Sequence, residues 1–305
     1  MKNLKILLLG STGQVGWELH RSLLPLGTVI PVSQSTSPLQ VDLRKGEQIR
    51  DLIQTVRPDF IVNAAAYTAV DRAESDRDLA HTINAIAPGI LAVEAKKIEA
   101  ALIHYSTDYV FNGRQAIPYQ EYDQTDPVNV YGKTKLEGEK AIVSVDGNYL
   151  ILRTSWVYGN RGKNFLRTIL RLAQEKPEIR IVDDQWGAPT WSRTIAESTT
   201  FILTRSIASP RQFFEKFTGI YHLTASGITN WYEFARSILE LAPPLRHQAL
   251  KNLESIPTSA YPTPAQRPAY SVLNTTRVQE TFGLHLPNWK DALTLVMEQE
   301  EFSVV

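Results

Sequence analysis

The stretch KILLLGSTGQVGWELHRSLL, Lys5 to Leu24, decides the fold. An unbroken apolar run ends in glycine, Gly10, Gly13 and Gly16 follow at intervals of three, and a helix-forming segment begins at once. A run that is apolar on successive side chains reads as a strand buried on both faces. Glycines at its end let the backbone turn tightly, approach a pyrophosphate, and seat that charge at the N-terminus of the following helix. The spacing departs from G-x-G-x-x-G, so a ligand-free strand-to-helix turn is the competing reading.

Outward from this stretch the same rhythm repeats. DFIVNAAA precedes a helix-length segment from Asp71 to Ala95, ALIHYST precedes a loop and a helix around KTKLEGEKAI, and NYLILRTSWVYG closes the first half. Apolar runs alternating with helical segments predict an α/β fold with a doubly wound parallel sheet. Residues 1–160 form the sheet domain in this reading, part of 178–210 returns to it, and 161–305 is mainly a smaller C-terminal α/β region. After Gly159 come longer helices (NFLRTILRLAQEK, IAESTTFILTRS, NWYEFARSILELA) and the proline-rich IPTSAYPTPAQRP, which reads as an extended surface loop. The tail EQEEFSVV is expected to fray.

Composition narrows the partners. The 305 residues carry 32 Lys and Arg against 32 Asp and Glu, so no basic surplus exists to hold nucleic acid or an anionic membrane. With no cysteine in the chain, disulfides, thiolate catalysis and cysteine-ligated metals are excluded. ILLLG is too short for a signal core or a membrane span, and the expectation is a cytoplasmic protein with a small-molecule partner.

On the cofactor side, the second strand, TVIPVS, ends without the carboxylate that usually binds an adenosine ribose diol. Its absence removes repulsion against a 2′-phosphate, so NADPH is expected to be tolerated alongside NADH and at most weakly preferred. No arginine stands at that point of the sequence to clamp the phosphate. Asp42, in VDLRK, either reaches the adenine edge or caps a helix.

A nicotinamide chemistry also needs a proton donor. In VYGKTKLEGEK, Tyr131 and Lys135 are one helical turn apart on one face. A nearby ammonium stabilises a phenolate and lowers the tyrosine pKa from its usual value near ~10. ALIHYST offers Ser106 and Thr107 at a strand end, where such sheets bind ligands, as a second hydroxyl donor. Alone, Tyr-x-x-x-Lys is as well read as a solvated helical pair. Asp183 and Asp184, adjacent in a presumed strand, would point to opposite faces, so no metal is expected there.

Together GSTGQVGWEL, NAAAYTAVDRAE, YSTDYVFNG, VYGKTKLEGE, LRTSWVYG, DDQWGAPT and RPAYSVLNT resemble the extended short-chain dehydrogenase/reductases, and within them the dTDP-4-dehydrorhamnose reductase family, from about residue 5 to 295. The resemblance implies a Rossmann domain and NAD(P)H-dependent reduction of the 4-keto group of dTDP-4-dehydro-L-rhamnose. Tyr131 would donate the proton, Lys135 would position the ribose, and Thr107 would polarise the carbonyl. Gly10, Thr12, Gly13, Gln14, Val15 and Gly16 would line the pyrophosphate, Ser33, Asp42 and Leu43 the adenosine, and Ala64, Ala65 and Tyr67 the remaining cofactor edge. Val70, Asp108 and Trp156 would face the sugar, with Gln185, Pro189, Thr190 and Arg267 toward the nucleotide.

Related nucleotide-sugar dehydratases carry a glutamate after the Thr-Asp pair, where this chain has Tyr109; ketoreduction is therefore favoured. A 4-epimerase, a reductase of another 4-keto sugar, and a non-catalytic subunit resembling that of methionine adenosyltransferase are the alternatives. Some members of the family dimerise around magnesium. Glu18 matches one ligand position, but Trp191, Ser192 and Arg193 follow GAPT where a second carboxylate would stand. No metal is expected; Glu18 reads as a solvated acid of the first helix, and the chain as a monomer or homodimer.

Overall fold

The computed structural model describes residues 4–34, 39–242 and 249–298; the tail beyond Glu298 lies outside them. Strand β1 (Leu4–Leu9) is an interior strand of a seven-stranded sheet, with every side chain but Lys5 buried. It pairs with β2 (Gly27–Ser33) on one side and, past β3 (Leu39–Gln40) in the chain, with β4 (Phe60–Asn63) on the other. Beyond β4 lie β5 (Ala101–Thr107), β6 (Tyr149–Thr154) and a last strand, Gly219–His222. All six pairings are parallel. The strand order therefore reverses between β1 and β4, and a crevice opens at their C-terminal ends, which is where open α/β sheets bind ligands.

Successive side chains of β1 serve opposite cores, as a pleated strand requires. Ile6 and Leu8 pack with Leu19, Leu23, Ile195, Leu203 and Phe214, whereas Leu7 and Leu9 pack with Ile49, Ile53, Leu91 and Ile142. A third core gathers Tyr158, Leu166, Trp191, Phe234, Trp289 and Leu293 from the C-terminal half. Its helices are Phe165–Glu175, Trp231–Leu241 and Trp289–Met297, with Glu178–Val182 paired parallel to Asn252–Ile256 beside them. The chain crosses between these bodies more than once. Helix Ser192–Ser206 supplies Ile195 and Leu203 to the sheet, and Gly219–His222 extends its edge, a strand that the alternation of the first half does not reveal.

The segment from Asp71 to Ala95 is broken rather than continuous. Short helices Val70–Ala73 and Arg77–His81 lead through a π-turn, Thr82–Ile86, into Ala87–Lys97. Asn84 explains the local widening: its amide accepts from the Tyr67 N–H at 2.9 Å and donates to the Tyr67 carbonyl at 3.0 Å and Thr134 Oγ1 at 3.2 Å. Such turns concentrate at functional sites. Among the described residues no helix is long and apolar enough to cross a membrane.

Candidate functional site

The loop after β1 is built by close backbone approach. Gly10 has φ +75°, a left-handed conformation that disfavours any Cβ, and a Cβ there would lie 2.6 Å from the Ala65 nitrogen. The first helix, α1 (Gln14–Leu23), starts directly behind the loop, with Gly13 at its N-cap. Beside it opens a cavity of about 260 Å³, whose walls include Gly10, Thr12, Ser33, Asp42, Leu43 and Ala65. Sequence-predicted residues from four separate strand ends thus share one wall, and the space fits the adenosine end of a dinucleotide.

Arg44 completes the same wall. The reading that no arginine stands at the end of β2 is corrected here. The short β3 pairs with Val32 and Ser33, and the Val41 N–H reaches the Ser33 carbonyl at 3.3 Å, so the chain is led back to the end of β2. Asp42 caps no helix: the next one, Gly46–Val56, has Lys45 at its N-cap. Instead Asp42 accepts the Arg44 N–H at 3.0 Å and the Arg44 guanidinium at 2.6–2.9 Å, and that side-chain bond holds its carboxyl below the usual range.

Helix Val130–Ser144 carries Tyr131 and Lys135. Asn129 caps it, its side chain accepting from the Gly132 N–H at 2.8 Å and donating to the Gln266 carbonyl at 2.7 Å. The polarity of this helix is explained by an inward face that is itself polar: Thr134, Lys135 and Glu139 are all buried. Glu139 forms a buried two-pronged ion pair with Arg153 of β6, at 2.9 and 2.7 Å. Of the two candidate hydroxyls on β5, Thr107 stands near enough to Tyr131 to act on its titration, whereas the buried Ser106 Oγ has no hydrogen-bond partner. Thr107 also donates to Asp108 Oδ1 at 3.0 Å and accepts from the Tyr109 N–H at 3.2 Å.

Burial dominates the titration of these groups. It pushes the Tyr131 phenol up to about 12, the Thr107 bond opposing it, and Lys135 does not counter the rise. The lysine is engaged elsewhere. Its Nζ donates to the Tyr105 carbonyl at 2.6 Å and lies 3.2 Å from His104 Nε2. His104 Nδ1 is 3.0 Å from the Asn63 amide nitrogen. With Asn63 donating to Nδ1, the ring proton sits on Nε2, an arrangement that favours a neutral amine. Burial accordingly brings Lys135 down to about 8, against the opposing pull of Glu139. Burial also raises the Asp108 carboxyl to about 7.

Toward the C-terminal half lies a larger cavity of about 530 Å³, whose lining includes Phe165, Gln185, Trp231, Tyr261 and Arg267. Tyr109 links the two regions: its ring meets Tyr131 edge-on at 5.8 Å, and the Arg267 charge acts on its hydroxyl.

The sequence model of the RmlD substrate binding domain matches residues 4–302. The chain belongs to that family. It is 47% identical over 296 residues to the dTDP-4-dehydrorhamnose reductase of Burkholderia thailandensis, covering 96% of this chain and 97% of the relative. The enzyme of the same name from Escherichia coli K12 is 46% identical over 291 residues, covering 94% and 95%. Among solved structures, dTDP-4-dehydrorhamnose reductase from Bacillus anthracis in complex with NADP superposes with a TM-score of 0.85 at 32% identity, over 96% of this chain and 98% of that one.

Within this RmlD-family chain the remaining predicted residues fall in different places. Gln14 accepts from Asn164 at 2.9 Å, tying the glycine loop to the C-terminal half, and Val15 packs on the sheet core beside Ala64. Tyr67 is held through its hydroxyl to Asp76 at 2.9 Å. Val70 opens a short helix whose next residue, Asp71, grips Arg267 at 2.8 and 3.1 Å. Arg267 also donates to Thr263 Oγ1 at 2.6 Å, so its fork is already occupied. Gln185 donates to Thr258 Oγ1 at 2.9 Å at the cavity edge.

Pro189 and Thr190 are buried; the Thr190 hydroxyl donates to the Ala188 carbonyl at 3.1 Å and accepts from the Ala225 N–H at 3.2 Å. Trp156 has φ +46°, rare for so bulky a residue, and stacks on Trp231 at 3.6 Å, so Trp231 lines the larger cavity in its place. Asp183 and Asp184 follow the strand ending at Val182 rather than lying in it, and Asp184 accepts from the Thr258 N–H at 2.9 Å. Glu18 is not a solvated acid: its largely buried carboxylate pairs with Arg193 at 3.2 Å. Sequence reasoning missed Arg44, Asn84, Glu139 and Arg153; Asn84, Glu139 and Arg153 act through partners distant in sequence, and Arg44 reaches its place only because β3 returns the chain to the end of β2.

Proposed function

We propose that the chain is a dTDP-4-dehydrorhamnose reductase, reducing the 4-keto group of a dTDP-linked 6-deoxy sugar with NADPH or NADH. The observation that carries this reading is the approach of Tyr131 to Thr107, the last residue of β5, in a chain that also holds a glycine-loop cavity and a second cavity large enough for a sugar nucleotide. The relatives named above point to the same substrate.

When bound, the dihydronicotinamide supplies the hydride that adds to the carbonyl carbon. The chain's own residues handle the oxygen. Thr107 polarises it by a hydrogen bond, and Tyr131 delivers the proton that turns the developing alkoxide into a hydroxyl. A phenol held near 12 is fully protonated at neutral pH, which is the state a donor in the reductive direction requires. Lys135, one turn behind, supports the transient phenolate and the nicotinamide ribose; leaving its present partners, Tyr105 and His104, is the rearrangement this role demands. Tyr109 stands beside Tyr131 at the position where the related dehydratases carry their glutamate.

Tyr131→Phe removes the donor with little change of shape. Turnover is expected to fall about 10²–10⁴-fold while NADPH affinity is retained. The measurement is NADPH consumption with dTDP-4-dehydro-L-rhamnose, the sugar product identified by mass and NMR. Unchanged turnover in the variant refutes the role of Tyr131; product formation without net NADPH consumption points to an epimerase.

A further inference from the structure

We propose that Arg44 reads the 2′-phosphate of the adenosine ribose and so sets a preference for NADPH over NADH. The inference rests on the dinucleotide reading of the glycine loop. In that reading the ribose lies at the C-terminal end of β2, where discrimination between the two cofactors is made by what faces the 2′ position. The strand ends at Val32 and Ser33 and is followed by Gln34, none of them acidic. Among the described residues of the strand end no carboxylate faces a free diol, and Asp42 in the same cavity wall is engaged by Arg44.

The chain then returns. Through β3 and the Val41–Ser33 hydrogen bond it places residues 42–44 beside the same strand end, and Arg44 shares one cavity wall with Gly10, Thr12, Ser33 and Gln34. Its side chain is 53% exposed, and its fork is presented on Asp42, two residues away. An ion pair this open to water is held weakly. A phosphate dianion offers the same planar fork a stronger set of acceptors, which arginine binds in two-pronged geometry. Asp42 thus parks the guanidinium at the cavity edge and, once released, is free to accept from the adenine amine. The 2′-hydroxyl of NADH offers no such charge. The competing account makes Arg44 only a staple for the turn at Asp42.

Equilibrium binding to the full chain separates these accounts without any turnover. Titration of NADPH, NADH, 2′,5′-ADP and 5′-AMP into wild type, Arg44→Ala and Arg44→Lys at low salt gives the comparison. Arg44→Ala is expected to weaken NADPH and 2′,5′-ADP about ten- to hundredfold, the range of a charge-assisted hydrogen bond, and to change NADH and 5′-AMP by less than about twofold. Arg44→Lys falls between, and the difference shrinks as salt rises. Equal losses for phosphorylated and unphosphorylated ligands, or no loss for either, overturn the assignment, as does a wild type with equal affinity for NADPH and NADH. Failure of the wild type to bind any of the four overturns the dinucleotide reading itself and Arg44 with it.

Discussion

The two sides of the site are made of different material. On the dinucleotide side the wall near the helix start is glycine and alanine, with Gly10, Ala65 and Ala66 approaching through backbone. On the substrate side the wall carries long polar side chains already tied to partners, Arg267 to Asp71 and Gln185 to Thr258. A backbone wall has its shape before a ligand arrives. A wall of paired side chains must exchange partners to bind, so its substitutions act by releasing groups rather than by filling space.

The sharpest break of that contrast is Gly16→Ala. The added Cβ would sit 2.0 Å from the Gly10 carbonyl oxygen, where no side chain can yield. NADPH binding is expected to be abolished in calorimetric titration while far-UV circular dichroism stays native. Next comes Glu139→Gln, on the inward face of helix Val130–Ser144, which leaves Arg153 buried without its counter-charge. A loss of about 3–5 kcal/mol in chemical denaturation is expected; a loss below about 1 kcal/mol would mean water reaches the pair.

Asp108→Asn gives a smaller, pH-dependent effect. Burial raises the folded-state carboxyl to about 7, well above the usual aspartate range, so folding favours the protonated form. The stabilisation this provides is complete below the unfolded pKa and is lost as pH rises through about 7. Between pH ~5 and ~7, wild type should therefore lose about 2–3 kcal/mol relative to the variant, at about 1.36 kcal/mol per pH unit. Parallel stability curves would show that Asp108 titrates as an ordinary carboxyl.

The same contrast explains what was legible. Strand β1, its glycine loop and the Tyr131–Lys135 spacing are local patterns, and residues adjacent in sequence build them. Arg44 was hidden because β3 folds back onto the end of β2, a register set by two strand residues. The Glu139–Arg153 pair was hidden because polarity on the catalytic helix reads as solvent exposure, although its charges neutralise each other inside the protein. Lys135 was legible as a neighbour of Tyr131, but its bonds to Tyr105 and His104 come from β5 beneath it. Trp156 was legible only as a candidate aromatic for the site, and the fold stacks it on Trp231, which lines the larger cavity.

Asp71→Asn is the mildest change and the most informative about the substrate side. Asp71 accepts from the Ala265 N–H at 3.2 Å and from both terminal nitrogens of Arg267, and the guanidinium holds its carboxyl below the usual range. A depressed carboxyl contributes stability that is present above its unfolded pKa and lost as pH falls through the folded one. With Asp71 41% exposed, the pair is screened by water, and asparagine should cost less than about 1 kcal/mol at neutral pH, with no cost in acid. Ligand binding then separates two roles. If Arg267 meets the diphosphate, freeing its fork should strengthen dTDP binding about two- to fivefold, whereas Arg267→Ala should weaken it about tenfold. If both substitutions weaken dTDP binding alike, the pair is instead a strut that fixes the 263–267 loop, and the diphosphate is held by other groups lining the cavity, Arg180 and Lys176 among them.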